Sequence, residues 1–323
     1  MTGSWKAWLR SLLERGLRRV APHVPVLRAW LAEAKVAHAE AQAARHVFRF
    51  VPAGHFYSPI PSDDEIETYA ERLAGARPRE LPGVALNEAG QLAVLDHLKA
   101  YYRDQPFTRE KGPDRRYFFE NHAYSYSDAI CLYGMIRHVQ PRRIVEVGSG
   151  YSSCVMLDTN ELFFDNRIAC SFIEPHPELL QSLVKPQDLD RIEVIACPLQ
   201  AVDLARFREL DESDILFIDS THVVKLGSDV NYIFREILPS LRVGVYVHFH
   251  DVFYPFEYPA AWHREGRAWT EAYLLRSFLT FNSAYEIVLY NTFLEHFHRE
   301  EFARHMPLCL ENEGGSIWLR RVR

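Results

Sequence analysis

The chain has 323 residues, enough for one large domain or a domain with an appendage. Its 48% hydrophobic and 25% charged content is that of an ordinary soluble globular protein, and a net charge of −6 gives no electrostatic reason to expect nucleic acid as a partner. The five cysteines are scattered, without a CxxC pair, which argues against a disulfide frame or a structural zinc site and for a reducing compartment. With no signal peptide and no apolar run of membrane-spanning length in the sequence, the expected location is the cytoplasm.

Residues 1–50 read as an N-terminal helical arm. In the stretch 4–20, Trp5, Trp8, Leu9, Leu12, Leu13 and Leu17 recur at helical spacing beside Lys6, Arg10, Arg15, Arg18 and Arg19. Such a helix suits either docking on its own domain or on a second copy in a homo-oligomer, or peripheral contact with an anionic membrane. An Ala-rich helix follows over 26–47. Residues 51–124 read as a linker or lid with short helices. Three prolines and a glycine exclude a helix at 51–62, whose His55, Phe56 and Tyr57 suit either packing or a ligand-facing lid. Helices are expected at 63–74 and 87–102, and an irregular stretch at 105–124.

From residue 125 the pattern is regular and extends to 323. A helix at about 127–138 leads to five β-branched or aromatic runs, at 142–147, 167–175, 191–198, 214–220 and 244–251, separated by helix-like segments. This alternation predicts a Rossmann-like, doubly wound, mostly parallel sheet, with further strands at 285–291 and 314–322, one of them a candidate antiparallel strand. Ligands of such sheets bind at the carboxyl edge, where strand order switches.

Chemistry-bearing residues gather at that edge. Gly148 and Gly150, in EVGSGYSS, permit a tight turn that a ligand can approach. The run is GxGxxS and departs from the dinucleotide fingerprint. Glu146, just before it, favours a cationic ligand bearing an amino group and a sulfonium over a pyrophosphate. Glu174 ends the second strand, where a carboxylate accepts hydrogen bonds from ribose hydroxyls. Gln200 follows the third and is a candidate for an adenine pocket. Asp219 and Asp251 end the fourth and fifth strands, close enough to share a divalent cation. His222, His248 and His250 lie nearby; alternation places His248 deeper and His250 nearer the cleft, and imidazole is the usual general base near neutral pH.

With EVGSGYSS, FIEP, FIDSTHVVKLGSDVNYIFREILPSLRVGVYVHFHD and EYPAAW in order, residues 117–322 resemble the class I S-adenosylmethionine-dependent methyltransferases. Within that class the resemblance is to methyltransferase family 24, related to macrocin and other sugar or natural-product O-methyltransferases. It implies a seven-stranded sheet with the last pair reversed. It also implies a methionine cradle at Glu146, Gly148, Ser149 and Gly150, a ribose contact at Glu174, and Asp219 at the amino end of the cofactor or on a metal such as Mg2+. Related metal-dependent enzymes carry Asn after the acid of the fifth strand. Here Val252 follows Asp251, so a metal at Asp219 and Asp251 requires His222 or His250 as substitute. The implied reaction is methylation of a small-molecule or glycan hydroxyl, with His250 or His222 as base and Asp219 and Asp251 orienting it or holding the cation. The aromatic insert Phe253, Tyr254, Phe256, Tyr258, Trp262 and Trp269 is a candidate acceptor wall. The same architecture also serves NAD(P)-dependent oxidoreductases and non-catalytic binding scaffolds.

Overall fold

The computed structural model describes residues 50–75 and 77–323. The helices expected at 4–20 and 26–47 lie outside the described residues. The chain divides into two compact units, Met1–Ile66 and Glu67–Arg323. In the first unit, residues 51–62 form turns without helix or strand, as their prolines require. Ser62 then caps the helix Asp63–Leu73: its Oγ accepts from the Glu65 N–H at 3.2 Å, and Glu65 Oε2 accepts from the Ser62 N–H at 2.7 Å.

The second unit is built on seven strands: β1 (Arg143–Val147), β2 (Ala169–Ile173), β3 (Glu193–Ile195), β4 (Ile215–Ile218), β5 (Tyr246–His250), β6 (Tyr285–Tyr290) and β7 (Ser316–Arg321). Their order is β3-β2-β1-β4-β5-β7-β6. Neighbours from β3 to β5 pair in parallel, while β7 runs antiparallel to both β5 and β6. This is the doubly wound, mostly parallel sheet anticipated from the runs, with the last two strands exchanged in order. Winding reverses between β1 and β4, which sets the ligand crevice there. The expected run 191–198 contributes only three strand residues, because it forms an outer edge and reaches Pro198.

Central strands are buried on both faces. β4, ILFI, has no exposed residue, and Phe172, Phe217 and Phe249 are fully buried. The helix Tyr126–Val139 is almost wholly buried, ending at Gln140 in a left-handed conformation ahead of Pro141. It packs against the helix Glu88–Tyr102 through Gly134, where an added Cβ would lie 2.8 Å from Leu98 Cδ2. Residues 67–124 are therefore not a linker. Leu95, Leu98, Phe107, Tyr117 and Phe119 join the sheet's own core, because their apolar faces need the helix Tyr126–Val139 to leave water. Among the described residues no helix is long and apolar enough to cross a membrane.

Candidate active site

The turn after β1 is forced by backbone crowding. Gly148 has φ +77°, its N–H donates to the Ile173 carbonyl at 3.0 Å, and an added Cβ would stand 2.1 Å from the Asp219 carbonyl oxygen. No side chain fits there, so the ends of β1, β2 and β4 close to within backbone contact. Gly150 then opens the helix Tyr151–Phe163, its N–H donating to Ser153 Oγ at 3.1 Å.

Glu146 does not face the cleft. It has no exposure and accepts from Ser152 Oγ at 2.5 Å and from Ser153 Oγ, so it anchors the first helical turn from beneath. Burial pushes its carboxyl up to about 8, against the pull of the two serine hydroxyls. The expected contact between Glu146 and the cofactor is thus corrected: its alternation on β1 turns it into the core. Ser149 and Gly150 also fall outside the cleft's lining, where only Gly148 of the turn remains. The Ser149 N–H instead points to Glu174 Oε2 at 3.4 Å.

A cleft of about 470 Å³ lies across the carboxyl ends of β1, β2 and β4, lined by Gly148, Glu174, Gln200, Asp219, Lys225 and Asp229 among others. Glu174 is set in place by the His176 N–H, which donates to its Oε1 at 2.8 Å. The carboxylate's remaining lone pairs can accept from a vicinal diol. Gln200 is on the rim, and its Nε2 donates to the Gly227 carbonyl at 2.7 Å, tying two cleft loops together. One of its two amide N–H donors is therefore engaged, which leaves the other and the carbonyl oxygen for a base edge.

Asp219, which lines the cleft, converges with His222 and Asp251, which like His250 lie outside its lining, and one ligand atom from each of the three is within 4.8 Å of the others. His222 Nε2 is 3.3 Å from Asp219 Oδ1 and 3.7 Å from Asp251 Oδ2; Nδ1 is 2.9 Å from Glu271 Oε2. Both His222 and Asp251 adopt positive φ, +59° and +56°, an uncommon conformation for residues other than glycine. Asp219 keeps 35% of its side chain exposed and Asp251 19%, so both are open to a ligand.

Electrostatics separate the two histidines. Burial disfavours charge on His222, but the bonds to Asp219 and Glu271 outweigh it and lift the imidazole to about 10. In the protein alone it therefore carries its proton at neutral pH, which corrects its assignment as a free base. His250 is also raised, with burial outweighed by Asp251, Asp219 and Asp128, yet it faces only a looser contact, Nε2 to Asp251 Oδ1 at 3.5 Å. Asp219 is held below the ordinary carboxylate range despite burial, by His250 and His222; Asp251 is pushed above it by burial, against the same two rings. His248 stacks on Phe217 with centroids 3.9 Å apart, and burial holds it well below the usual range. It is a neutral packing residue, as its deeper position on β5 implied. Glu271 and Lys225 are not among the site residues read from the sequence: Lys225 reaches the site from a loop and Glu271 from the first turn of the helix Glu271–Leu279, approaches that no local pattern reports.

In the insert after Asp251, Tyr254, Phe256 and Tyr258 are fully packed, so the aromatics available to an acceptor narrow to partly buried Phe253, Trp262 and Trp269. Trp269 lies against His222, with ring centroids 4.3 Å apart.

The family described as a methyltransferase domain, methyltransferase family 24, matches residues 145–252. An uncharacterised protein of Archaeoglobus fulgidus is 35% identical over 176 residues, covering 53% of this chain and 78% of that protein. Among solved structures, the chain is similar to the S-adenosylhomocysteine-bound methyltransferase PaMTH1 of Podospora anserina. That match has 15% identity and a TM-score of 0.41, over 82% of this chain and 99% of that one. It is also similar to the O-methyltransferase TomG of Streptomyces achromogenes, of tomaymycin synthesis, in complex with S-adenosylmethionine. There the identity is 16% and the TM-score 0.40, over 80% of this chain and 96% of that one.

Proposed function

The chain belongs to methyltransferase family 24, of the class I methyltransferases, and on that premise we propose that it moves the methyl group of S-adenosylmethionine to a hydroxyl oxygen of a small molecule or glycan. The observation that carries this reading is Glu174. A carboxylate aligned by two backbone N–H groups stands at the end of β2, in the cleft that also holds the Gly148 turn and Asp219. That arrangement suits the adenosyl ribose, and Asp219 on the same wall suits the cationic amino end. Volume and polarity both fit: the cleft takes a ligand of nucleoside size, and its acids favour a positive charge over a pyrophosphate.

When bound, the cofactor supplies an electrophilic methyl group on a sulfonium. Everything else falls to the chain. The cleft holds donor and acceptor in line, and proximity supplies much of the rate. In its neutral form, which the neighbouring acids disfavour and higher pH restores, His250 would take the acceptor's hydroxyl proton at Nε2, and Asp251, 3.5 Å away, would stabilise the imidazolium that results. Transfer would leave a methyl ether and the demethylated thioether, with the acceptor's proton held at His250 Nε2. Asp219, His222 and Asp251 offer two carboxylates and an imidazole to a divalent cation, which would lower the acceptor's hydroxyl pKa.

Thermal-shift titration tests the cofactor class. Both S-adenosylmethionine and S-adenosylhomocysteine are expected to raise the melting temperature, and NADH to leave it unchanged. Stabilisation by NADH alone would replace the methyltransferase reading with an oxidoreductase one. Acceptors are then screened as hydroxylated sugars and aromatics with methyl-labelled cofactor.

A further inference from the structure

Glu271 is fully buried at the start of the helix Glu271–Leu279, beyond the span matched by the family. Its two oxygens have separate tasks. Oε2 accepts from His222 Nδ1 at 2.9 Å, and Oε1 accepts from Ser220 Oγ at 2.9 Å; Ser220 Oγ in turn accepts from the His222 N–H at 2.9 Å. The ring of contacts closes through the backbone, because the N–H groups of Thr270 and Glu271 both donate to the His222 carbonyl, at 2.8 and 3.0 Å. Trp269 covers the imidazole from the same segment. Residues 269–271 thus fix the ring's position, its tilt and the nitrogen that carries the inner proton.

We propose that Glu271 is a positioning residue that presents His222 Nε2 as a ligand beside Asp219 and Asp251, so that the trio prefers Mn2+ or Co2+ to Mg2+. This rests on the reading of the trio as a cation site made above. A carboxylate on the far nitrogen of a histidine is the usual partner of a metal-bound imidazole, fixing its tautomer and raising its basicity. The donor set then contains one nitrogen and two carboxylates. Mg2+ is bound by oxygen and keeps its waters, whereas imidazole ligation favours the later divalent ions. An all-oxygen pair at Asp219 and Asp251 would show a smaller bias, a Co2+ spectrum without a nitrogen ligand, and no response to Glu271.

The test uses the full chain after chelator treatment. Mn2+, Co2+ and Mg2+ are titrated separately by calorimetry, and the visible spectrum of the Co2+ form is recorded. Binding of Mn2+ and Co2+ is expected to be at least about tenfold tighter than that of Mg2+, given the nitrogen donor. Glu271→Ala should weaken Co2+ by about ten- to a hundredfold, with Glu271→Gln recovering part of the loss. His222→Asp should move the preference toward Mg2+ and change the Co2+ spectrum. A circular-dichroism spectrum and a cooperative thermal melt like those of the wild type report that each variant is folded. If Glu271→Ala does not fold, the wild-type ion preference and His222→Asp still decide the matter. Equal or tighter binding of Mg2+, no cation binding by the folded wild-type chain, or a folded Glu271→Ala with unaltered Co2+ affinity would each overturn the proposal. Failure to bind S-adenosylhomocysteine, with the ion preference intact, would instead count against the methyltransferase reading alone.

Discussion

A carboxylate with no exposure at the foot of the Gly148 turn has only two serine hydroxyls to stabilise its charge, so Glu146 holds its proton far above the ordinary range. The consequence is a pH dependence of known sign. An acid whose folded pKa is raised stabilises the fold fully below its unfolded value, about 4.5, and loses that contribution as pH climbs through the folded value, about 8. At about 1.4 kcal/mol per pH unit, the loss is a few kcal/mol in all. Glu146→Gln keeps the shape and removes the titration. Denaturation midpoints of variant and wild type should therefore diverge between pH 5 and 8, the variant gaining at the alkaline end. Parallel curves would show that Glu146 is ionised in the fold throughout. Its acidity was visible in EVGSG, but its direction was not, because the serines that hold it come after the turn. Asp219, His250 and Asp251 were legible as site residues because a polar residue ending an apolar strand run must reach the sheet's edge. Glu271 was not, since its contact with His222 spans a sequence separation of 49 residues.

At the scale of elements, the irregular stretch 105–124 is fastened by one side chain. Arg116 is 2% exposed and reaches three acids: Nε to Asp188 Oδ2, Nη1 to Asp158 Oδ1 and Nη2 to Glu161 Oε2, each at 2.7 Å. Asp158 also accepts from the backbone N–H groups of Arg116 and Tyr117, at 3.0 and 2.9 Å. The segment carries Tyr117, Phe119 and Tyr124 into the core, and Tyr124 lies against His250 at 5.0 Å between ring centroids. Arg116→Ala would leave Asp158 and Asp188 buried without their cation, a loss of roughly 3–5 kcal/mol. Chemical denaturation should show that loss, together with weaker ordering around His250. A change under 1 kcal/mol would mean that apolar packing alone holds the segment. The stretch is irregular, as Gly112-Pro113 and the absence of periodicity predict. Its anchor was invisible because the partners stand 42 and 72 residues along the chain. The strands were legible for the opposite reason: central parallel strands, covered on both faces, are written as unbroken apolar runs.

For the whole molecule, the sheet is a device that collects separated residues at one edge. Glu174, Asp219 and Asp251 come from three strands, and the β1/β4 reversal opens a cleft beside them. The helices read over 67–124 close the core beneath that edge, a role that sequence could not assign because they pack only once the sheet exists. On the proposed function, the cleft is an adenosyl site organised by Glu174. Calorimetric titration of S-adenosylhomocysteine into wild type and Glu174→Ala tests it most directly. Binding on the order of micromolar is expected for wild type, about −8 kcal/mol. Losing a charged acceptor of two hydroxyls should weaken the variant by about ten- to a hundredfold, at roughly 1.5–3 kcal/mol. A folded wild-type chain that binds no S-adenosylhomocysteine, or a Glu174→Ala variant that binds it equally well, would contradict the account.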